Sequence, residues 1–155
     1  MPGVALGYDL HKLVPGRELI VGGVKLESKF GAEAHSDGDA LLHAVIDTLL
    51  SAAGLDDIGV QFPDNDPAYR GISSLELLRE VWKRVSGKIV LYNIDTVVIL
   101  EQPKIAPHIA EMKQNIASIL GISTDKIGIK GKTAENTRLF TIEAHAVCLF
   151  EQSSP

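Results

Sequence analysis

Three segments of the chain carry apolar residues at the three- to four-residue spacing that places them on one face of a helix. These segments are residues 39–53, 74–86 and 108–120, and a glycine directly follows each of them. The candidate N-terminal caps are Ser36 and Asp37 for the first helix and a capping box, Ser73 with Glu76, for the second. The pattern therefore predicts three helices.

Runs of β-branched and other apolar residues predict five strands. They span residues 4–10, 19–26, 89–100, 127–132 and 141–150. A Pro-Gly pair marks a turn between the first two strands, and the long run at 89–100 is typical of a central strand. In the last strand small and apolar residues alternate onto one face, which predicts that Cys148 is buried.

Residues 56–71 contain prolines and glycines among many polar residues, which predicts a long loop. Loops of this length in a small domain are often lids or binding loops, so this one is a candidate for function. The predicted order ββααβαββ favours a two-layer α+β sandwich, in which a mixed β-sheet has helices packed on one face.

The chain has 155 residues, which predicts a single domain over residues 1–155. Fifteen Lys and Arg residues against 20 Asp and Glu residues give a net charge of −5, which argues against binding to nucleic acid. Cys148 is the only cysteine, so an intrachain disulfide is excluded and a reducing compartment fits. Asp9 interrupts the first apolar stretch and no apolar run reaches about 18 residues, so we expect a cytoplasmic protein without a membrane span.

Asp9 and His11 are two residues apart in a predicted strand, so their side chains should project to the same side. His43 lies one turn into the first predicted helix, after the polar cluster at residues 35–39. One carboxylate and two imidazoles are a donor set that suits zinc and leaves a fourth position open. From the spacing alone, an ordinary surface or core role is the alternative for His43. Asp47, four residues further on, could orient its imidazole or could be a solvated carboxylate.

The segment at residues 128–133 ends like a phosphate-binding P-loop, but the first glycine of that motif is missing because Lys126 occupies its position. An ATPase is therefore not indicated. Phosphate oxygens and a bridging divalent cation could still be bound here, unless the segment is simply a solvated strand end. The residues concerned are Lys130, Lys132, Thr133 and Glu135.

Pro103 and Lys104 precede the third predicted helix, where exposed backbone groups can read the edge of a base, although a plain turn would have the same sequence. His108 and His145 have no partner that is visible in the sequence, so we interpret both as structural.

Taken together and in this order, several motifs resemble one family along nearly the whole chain. They are Asp9-x-His11, residues 34–39 with His43, Asp57-Ile58-Gly59, Phe62-Pro63-Asp64-x-Asp66-Pro67, Pro103-Lys104 and Lys130-x-x-Thr133-x-Glu135. The family is that of 2-C-methyl-D-erythritol 2,4-cyclodiphosphate synthase.

The resemblance implies a homotrimeric enzyme of the non-mevalonate route to isoprenoid precursors, with active sites between subunits. In this family the 2-phosphate of 4-diphosphocytidyl-2-C-methyl-D-erythritol 2-phosphate attacks the β-phosphorus and expels CMP, so the enzyme is a phosphorus–oxygen lyase. The attacking oxygen is already charged at neutral pH, which explains why no nucleophile and base pair is visible. Positioning and charge neutralisation should dominate the catalysis.

The resemblance also implies roles for individual residues. Asp9, His11 and His43 would hold Zn²⁺. Glu135 would hold a second divalent cation, Mg²⁺ or Mn²⁺, and Thr133 would steady the phosphate chain. The erythritol and ribose region would be lined by His35, Ser36, Asp57, Gly59, Phe62 and Asp64. Pro103, Lys104, Ile105 and Ala106 of the neighbouring subunit would form the cytosine pocket, together with its Thr133 and Glu135.

The chain departs from the family pattern next to this last motif. Lys132 precedes Thr133 where many members carry consecutive threonines, and residues 136–140 replace a Gly-Phe-Thr-Gly-Arg-like segment. We therefore expect Arg138 or Lys132 to take over phosphate contacts that the missing arginine would make.

Two other classes of function use some of the same residues. A zinc-dependent phosphohydrolase could use the Asp-His-His set with water as the attacking group, and would give linear products. A noncatalytic module that binds cytidine nucleotides could keep the base pocket, but it would have little need of two metal sites.

Overall fold

The computed structural model describes residues 1–153, so the predicted domain limit at residue 155 lies outside the described residues. The main sheet consists of β1 (Pro2–Pro15), β4 (Phe30–Ala32), β5 (Ile89–Leu100), β6 (Ile127–Lys132) and β7 (Thr141–Gln152). A separate hairpin is formed by β2 (Leu19–Val21) and β3 (Val24–Leu26). The helices are α1 (Ala40–Ala52), α2 (Ile58–Gln61), α3 (Ser74–Val85) and α4 (Ile109–Leu120). The three predicted helices and the predicted strands at 89–100, 127–132 and 141–150 are confirmed, with ends that shift by no more than two residues.

The strand order in the main sheet is β4-β1-β7-β5-β6. β5 and β6 run parallel, and every other neighbouring pair in this sheet is antiparallel, so the sheet is mixed. Helix α1 packs across β1, β7 and β5, while α3 packs against α1 and α4. The predicted two-layer α+β architecture is therefore confirmed. As predicted, the inward side of β7 is buried, and Cys148 is only 1% exposed.

The opposite side of the sheet, which we call the outer face, is apolar and exposed. It carries Val4, Leu6, Tyr8, Leu10, Val147 and Leu149, each between 37% and 70% exposed. Side chains alternate along a strand, so these residues lie back to back with the residues under α1. A sheet face of this character resembles an interface more than a solvated surface.

The N-terminal third of the chain differs from the predicted pattern. Residues 19–26 form two strands because Gly22 and Gly23, with φ of +60° and +74°, make a tight turn between them. β1 does not pair with this segment; it continues to Pro15 and pairs with β4, a three-residue strand that the sequence did not reveal. Within the predicted loop at residues 56–71, α2 and a 3₁₀ turn at Pro67–Tyr69 are regular structure.

The predicted capping residues are also corrected. Asp39 caps α1, not Ser36 or Asp37, because its carboxylate accepts the N–H of Leu42 at 3.0 Å. The same buried carboxylate accepts the N–H groups of the Gly22–Gly23 turn at 2.9 and 2.7 Å, so it ties the β2–β3 hairpin to α1. Burial raises the pKa of Asp39 to about 6, although the hydrogen bonds from these backbone amides lower it. Ser73 occupies the N-cap position of α3 but makes no side-chain capping hydrogen bond within residues 1–153.

Among residues 1–153, no helix combines the length and the apolar character that crossing a membrane requires.

Candidate functional site

Asp9, His11 and His43 converge at one point between β1 and α1. Oδ2 of Asp9 lies 2.6 Å from Nε2 of His11 and 3.1 Å from Nδ1 of His43, and the two ring nitrogens are 3.4 Å apart. One donor atom from each residue therefore falls within 4.8 Å of the others, which is the arrangement of a possible metal-binding triad. The predicted meeting of the strand pair with the helical histidine is confirmed in its geometry.

The close approach of α1 to β1 brings His43 to the strand, and it depends on Gly7. A Cβ at Gly7 would lie 2.0 Å from the carbonyl oxygen of Ala44, which is adjacent to His43. Thr48, one turn further along α1, donates a hydrogen bond to the carbonyl of Ala5 at 2.8 Å. The helix is thus held directly on the strand backbone.

The triad is electrostatically coupled. Burial opposes ionisation of Asp9, but hydrogen bonds from His11 and His43 outweigh it and hold the pKa of this carboxyl well below its ordinary value. Burial disfavours the charged form of His43, yet the hydrogen bond and charge of Asp9 raise its pKa. The carboxylate is therefore ionised at neutral pH, as a metal ligand must be.

Nε2 on the far side of the His43 ring contacts two hydroxyl groups. Oγ of Ser74 lies 3.0 Å from Nε2 and Oγ of Ser36 lies 3.1 Å from it. Asp47, which the sequence offered as the partner of this ring, instead accepts the N–H of Ile58 at 3.3 Å. Of the two alternatives for Asp47, the orienting role is therefore excluded, because the ring nitrogens of His43 contact Asp9, Ser36 and Ser74.

The triad lies in a cleft of about 280 Å³, which we call the metal cleft. Most residues predicted to contact the erythritol and ribose line it: His35, Ser36, Gly59, Phe62 and Asp64. Nε2 of His35 is buried and has no hydrogen-bond partner within the described residues. An unsatisfied buried nitrogen beside a cluster of metal donors fits a site that is completed by a polar ligand. The donor set and this nitrogen together fit a bound metal and its substrate.

The segment at residues 56–71 forms the wall of the metal cleft. Phe62 is buried, with the Tyr69 ring edge-on at 5.1 Å and the Arg84 guanidinium 4.7 Å above it. This packing fastens the loop to α3 and holds Asp64 at the cleft. Asp57 plays a different part from its neighbours, since its side chain caps α2 at the N–H of Val60 and does not line the cleft.

A second cleft of about 330 Å³, which we call the base cleft, lies at the C-terminal ends of β5 and β6. It is lined by Pro103, Lys104, Ile105, Ala106, Lys132, Thr133 and Glu135, all of which the sequence proposed as site residues. Oγ1 of Thr133 donates to Oε1 of Glu135 at 3.1 Å. The structure therefore brings these predicted site residues together in one cleft.

The turn that carries Glu135 depends on Glu101. Oε1 of Glu101 accepts the N–H of Ala134 at 2.6 Å and that of Asn136 at 3.2 Å. Glu135 and Asn136 both adopt positive φ angles, 52° and 60°, which non-glycine residues hold only when the surroundings enforce them. Glu101 supplies that constraint, and sequence reasoning missed it because its partners lie more than 30 residues away.

Within residues 1–153 the metal cleft and the base cleft share no lining residue. β1 carries Asp9 and His11 of the triad and β6 leads to the base cleft, and β7 and β5 lie between these two strands. Three strand spacings amount to about 14 Å. One chain therefore does not form a continuous site from the two clefts.

Arg138, a predicted phosphate ligand, is placed elsewhere. Its guanidinium pairs with Glu143, a carboxylate on the outer side of β7 that is only 7% exposed. The same carboxylate contacts Nε2 of His145 at 2.9 Å, and the His145 ring stacks edge-on with Tyr8 at 4.9 Å. His145 is thus structural as predicted, but it does have a partner, two residues away on the same strand face.

A third cavity, at about 940 Å³ larger than either cleft, is separate from the metal cleft and adjoins the base cleft at Glu101 and Pro103. Phe30, Phe140 and Leu139 give it an apolar wall, and His108 reaches it from the turn before α4. It contains no residue of the metal triad, so its size does not make it the centre of the chemistry.

A family model described as the YgbB family matches residues 3–151 of the chain. The chain belongs to the YgbB family. This YgbB-family chain is 47% identical over 154 residues to the 2-C-methyl-D-erythritol 2,4-cyclodiphosphate synthase of Desulforamulus reducens, a match that covers 96% of this chain and 98% of the relative. The resemblance inferred from the motifs is thereby confirmed.

Solved structures of relatives support the same assignment. A structure named 2C-methyl-D-erythritol-2,4-cyclodiphosphate synthase is 41% identical, has a TM-score of 0.91, and matches over 96% of this chain and 100% of the other. A second structure of that name, in a form bound to CDP, is 39% identical with a TM-score of 0.90 and the same coverage. The YgbB-family chain thus shares its fold with enzymes of this name.

Proposed function

We propose that the protein converts 4-diphosphocytidyl-2-C-methyl-D-erythritol 2-phosphate into 2-C-methyl-D-erythritol 2,4-cyclodiphosphate and CMP, in the non-mevalonate route to isoprenoid precursors. An oxygen of the 2-phosphate forms a bond to the β-phosphorus, and the bond from that phosphorus to the oxygen of CMP breaks. The reaction is that of a phosphorus–oxygen lyase. The observation that carries the proposal is the convergence of Asp9, His11 and His43 in the metal cleft of a chain that belongs to this family.

Two groups of residues are suited to hold the cations of this reaction. Asp9, His11 and His43 offer the mixed oxygen and nitrogen donors that suit Zn²⁺, and Glu135 offers the carboxylate that suits Mg²⁺ or Mn²⁺. When bound, the cations supply Lewis-acid polarisation and neutralise charge on the phosphates. The chain itself contributes the geometry that presents these ligands.

The remaining site residues bind and orient the substrate. His35, Ser36, Gly59, Phe62 and Asp64 face the erythritol and ribose in the metal cleft. Pro103, Lys104, Ile105 and Ala106 hold the cytosine, and Thr133 steadies the phosphates beside Glu135. Lys132 lines the base cleft, so we assign it the phosphate contact that a missing arginine would make. Arg138 is engaged by Glu143, and Asp57 acts through the helix that it caps.

We further propose that the protein is a homotrimer and that each active site joins the metal cleft of one subunit to the base cleft of its neighbour. The apolar outer face supports assembly, since a second copy would remove it from water. The separation of the two clefts within one chain supports a shared site. We also propose that the single domain works in the cytoplasm, where the lone thiol of Cys148 would stay reduced.

The outer face provides a test of assembly. Leu6, which is 65% exposed, is expected to be buried between subunits, so Leu6→Glu should convert the trimer to smaller species because a buried unpaired carboxylate is costly. Light scattering during gel filtration measures the change. Val60→Glu is the matched control, since Val60 is 60% exposed but lies on α2. A Leu6→Glu protein that stays trimeric would remove the outer face from the interface.

The reaction is tested by incubating the purified protein with the phosphorylated diphosphocytidyl substrate and Mg²⁺, with and without a zinc chelator, and following products by phosphorus NMR. The expected result is a cyclic diphosphate and an equal amount of CMP, both suppressed by the chelator. Linear phosphate products would favour a phosphohydrolase instead. Tight binding of the substrate without any product would favour a nucleotide-binding module.

A further inference from the structure

The imidazole of His43 has a second ring nitrogen, Nε2, that faces away from the proposed cation site. Nδ1 faces Asp9 and His11, whereas Nε2 faces the hydroxyls of Ser74 and Ser36. His43 is 8% exposed and Ser74 is fully buried, so solvent has little access to this side of the ring. Nε2 must therefore be satisfied by one of these hydroxyls.

Asp37 fixes the direction of the Ser74 hydroxyl. The hydroxyl donates to Oδ1 of Asp37, and the backbone N–H of Ser74 donates to Oδ2 of the same carboxylate at 2.9 Å. An ionised carboxylate only accepts hydrogen bonds, so the single proton of the Ser74 hydroxyl is committed to Asp37. The oxygen of Ser74 then has only lone pairs left for His43, so a hydrogen bond between them requires a proton on Nε2.

This arrangement determines which nitrogen of His43 is free to bind a cation. A neutral imidazole protonated on Nε2 has its lone pair on Nδ1, which is the nitrogen that faces Asp9 and His11. The opposite tautomer, with its proton on Nδ1 toward Asp9, leaves the Ser74 oxygen without a donor and must lose that proton before a cation can bind to Nδ1. The contacts on α3 therefore select the tautomer that the triad requires.

We propose that Asp37 and Ser74 are positioning residues that hold His43 in the tautomer and orientation needed to bind a divalent cation through Nδ1. The inference rests on the metal site of the proposed function. Neither residue lines the metal cleft, so both act through His43 and not on the substrate. A ligand whose second ring nitrogen is held in this way is more basic and is already oriented before the cation arrives.

Ser36 has a different part, although it lies at a similar distance from Nε2. The hydroxyl oxygen of Ser36 accepts the N–H of Gly38 at 3.2 Å, and Ser36 lines the metal cleft. Its proton is not committed to a carboxylate, so it remains available to a ligand in the cleft. Ser74 has no such freedom.

The test compares Ser74→Ala with Ser73→Ala in the assembled, folded protein. Ser73 is the exposed neighbour at the N-cap of α3 and makes no side-chain capping bond within residues 1–153, so it controls for changes at the helix end. Competition with a chelator measures the dissociation constant for Zn²⁺. We expect Ser74→Ala to raise it about 10- to 100-fold and Ser73→Ala to leave it unchanged.

A second readout separates positioning from general stability. Nitrogen NMR of the zinc-loaded protein should show the Nε2–H of His43 protected from exchange in the wild type and exposed to it in Ser74→Ala. Asp37→Asn keeps one oxygen for Ser74 but loses the other acceptor, so it should weaken zinc binding by a smaller factor. If Ser74→Ala does not fold, Asp37→Asn takes its place, and the same two quantities are measured: the dissociation constant for Zn²⁺ and the exchange of the His43 Nε2–H.

The outcomes distinguish this inference from the proposed function. Zinc binding that is equal in wild type and Ser74→Ala, with an unchanged Nε2–H signal, would overturn the positioning role and leave the metal site intact. A wild-type protein that does not bind zinc through Nδ1 of His43 would overturn both.

Discussion

His43→Ala is expected to abolish tight zinc binding and to lower turnover by about a thousandfold or more, while the protein still folds and assembles. A bound metal stabilises the charge of the transition state by several kcal/mol. Each 1.36 kcal/mol of this stabilisation corresponds to about a factor of ten in the rate. Asp9 and His11 alone leave too few ligands for a tetrahedral cation. Metal analysis of the purified variant and the phosphorus NMR assay measure the two effects.

The matched control for this variant is His108→Ala. His108 lies outside the metal cleft, in the turn before α4, so its removal should leave the zinc content at the wild-type value. Far-ultraviolet circular dichroism and light scattering test whether His43→Ala keeps the fold and the oligomeric state of the wild type. Full activity of His43→Ala without zinc would defeat the metal assignment.

Gly7→Ala is expected to destabilise the protein by about 3 kcal/mol or more, because a methyl group there meets backbone atoms that cannot rotate away. The added Cβ would lie 2.0 Å from the carbonyl oxygen of Ala44 and 2.7 Å from the amide nitrogen of Thr48. Relief requires α1 to move away from β1, and His43 moves with it. We therefore expect a thermal midpoint lower by on the order of 10 °C, together with weaker zinc binding, measured by calorimetry and chelator competition.

Gly87→Ala controls for the loss of a glycine. A Cβ at Gly87 meets no atom within 4 Å, and its φ is not in the left-handed region, so the substitution should change the thermal midpoint by little. Wild-type stability in Gly7→Ala would mean that α1 does not depend on this contact for its place on the sheet.

Periodicity in the sequence was sufficient for the long elements but not for the short ones. α3, α4, β5 and β7 bury one face over many residues, and α1 is apolar and buried on nearly every side, so all five could be predicted from their apolar residues. β4 has only three residues, and its pairing with the end of β1 arises from the fold around it. The β2–β3 turn could have been predicted from its two consecutive glycines.

The site shows the same division between local and distant signals. Asp9 and His11 could be paired from the two-residue period of a strand, and Glu143 with His145 has the same spacing and could have been found by the same reasoning. His43 was a candidate from its position after the polar cluster, but spacing alone left an ordinary role open, and the family resemblance favoured the metal. Ser74 and Glu101 act across more than 30 residues of sequence, so no local pattern could reveal their partners.

The separation of the two clefts has a genetic consequence. A chain with a damaged metal cleft still carries an intact base cleft that a neighbouring subunit can use, and the reverse also holds. In the proposed assembly, alleles with defects in different clefts would complement one another when expressed together, whereas two alleles with defects in the same cleft would not. The harm done by a mutation in this protein would then depend on which allele it is paired with.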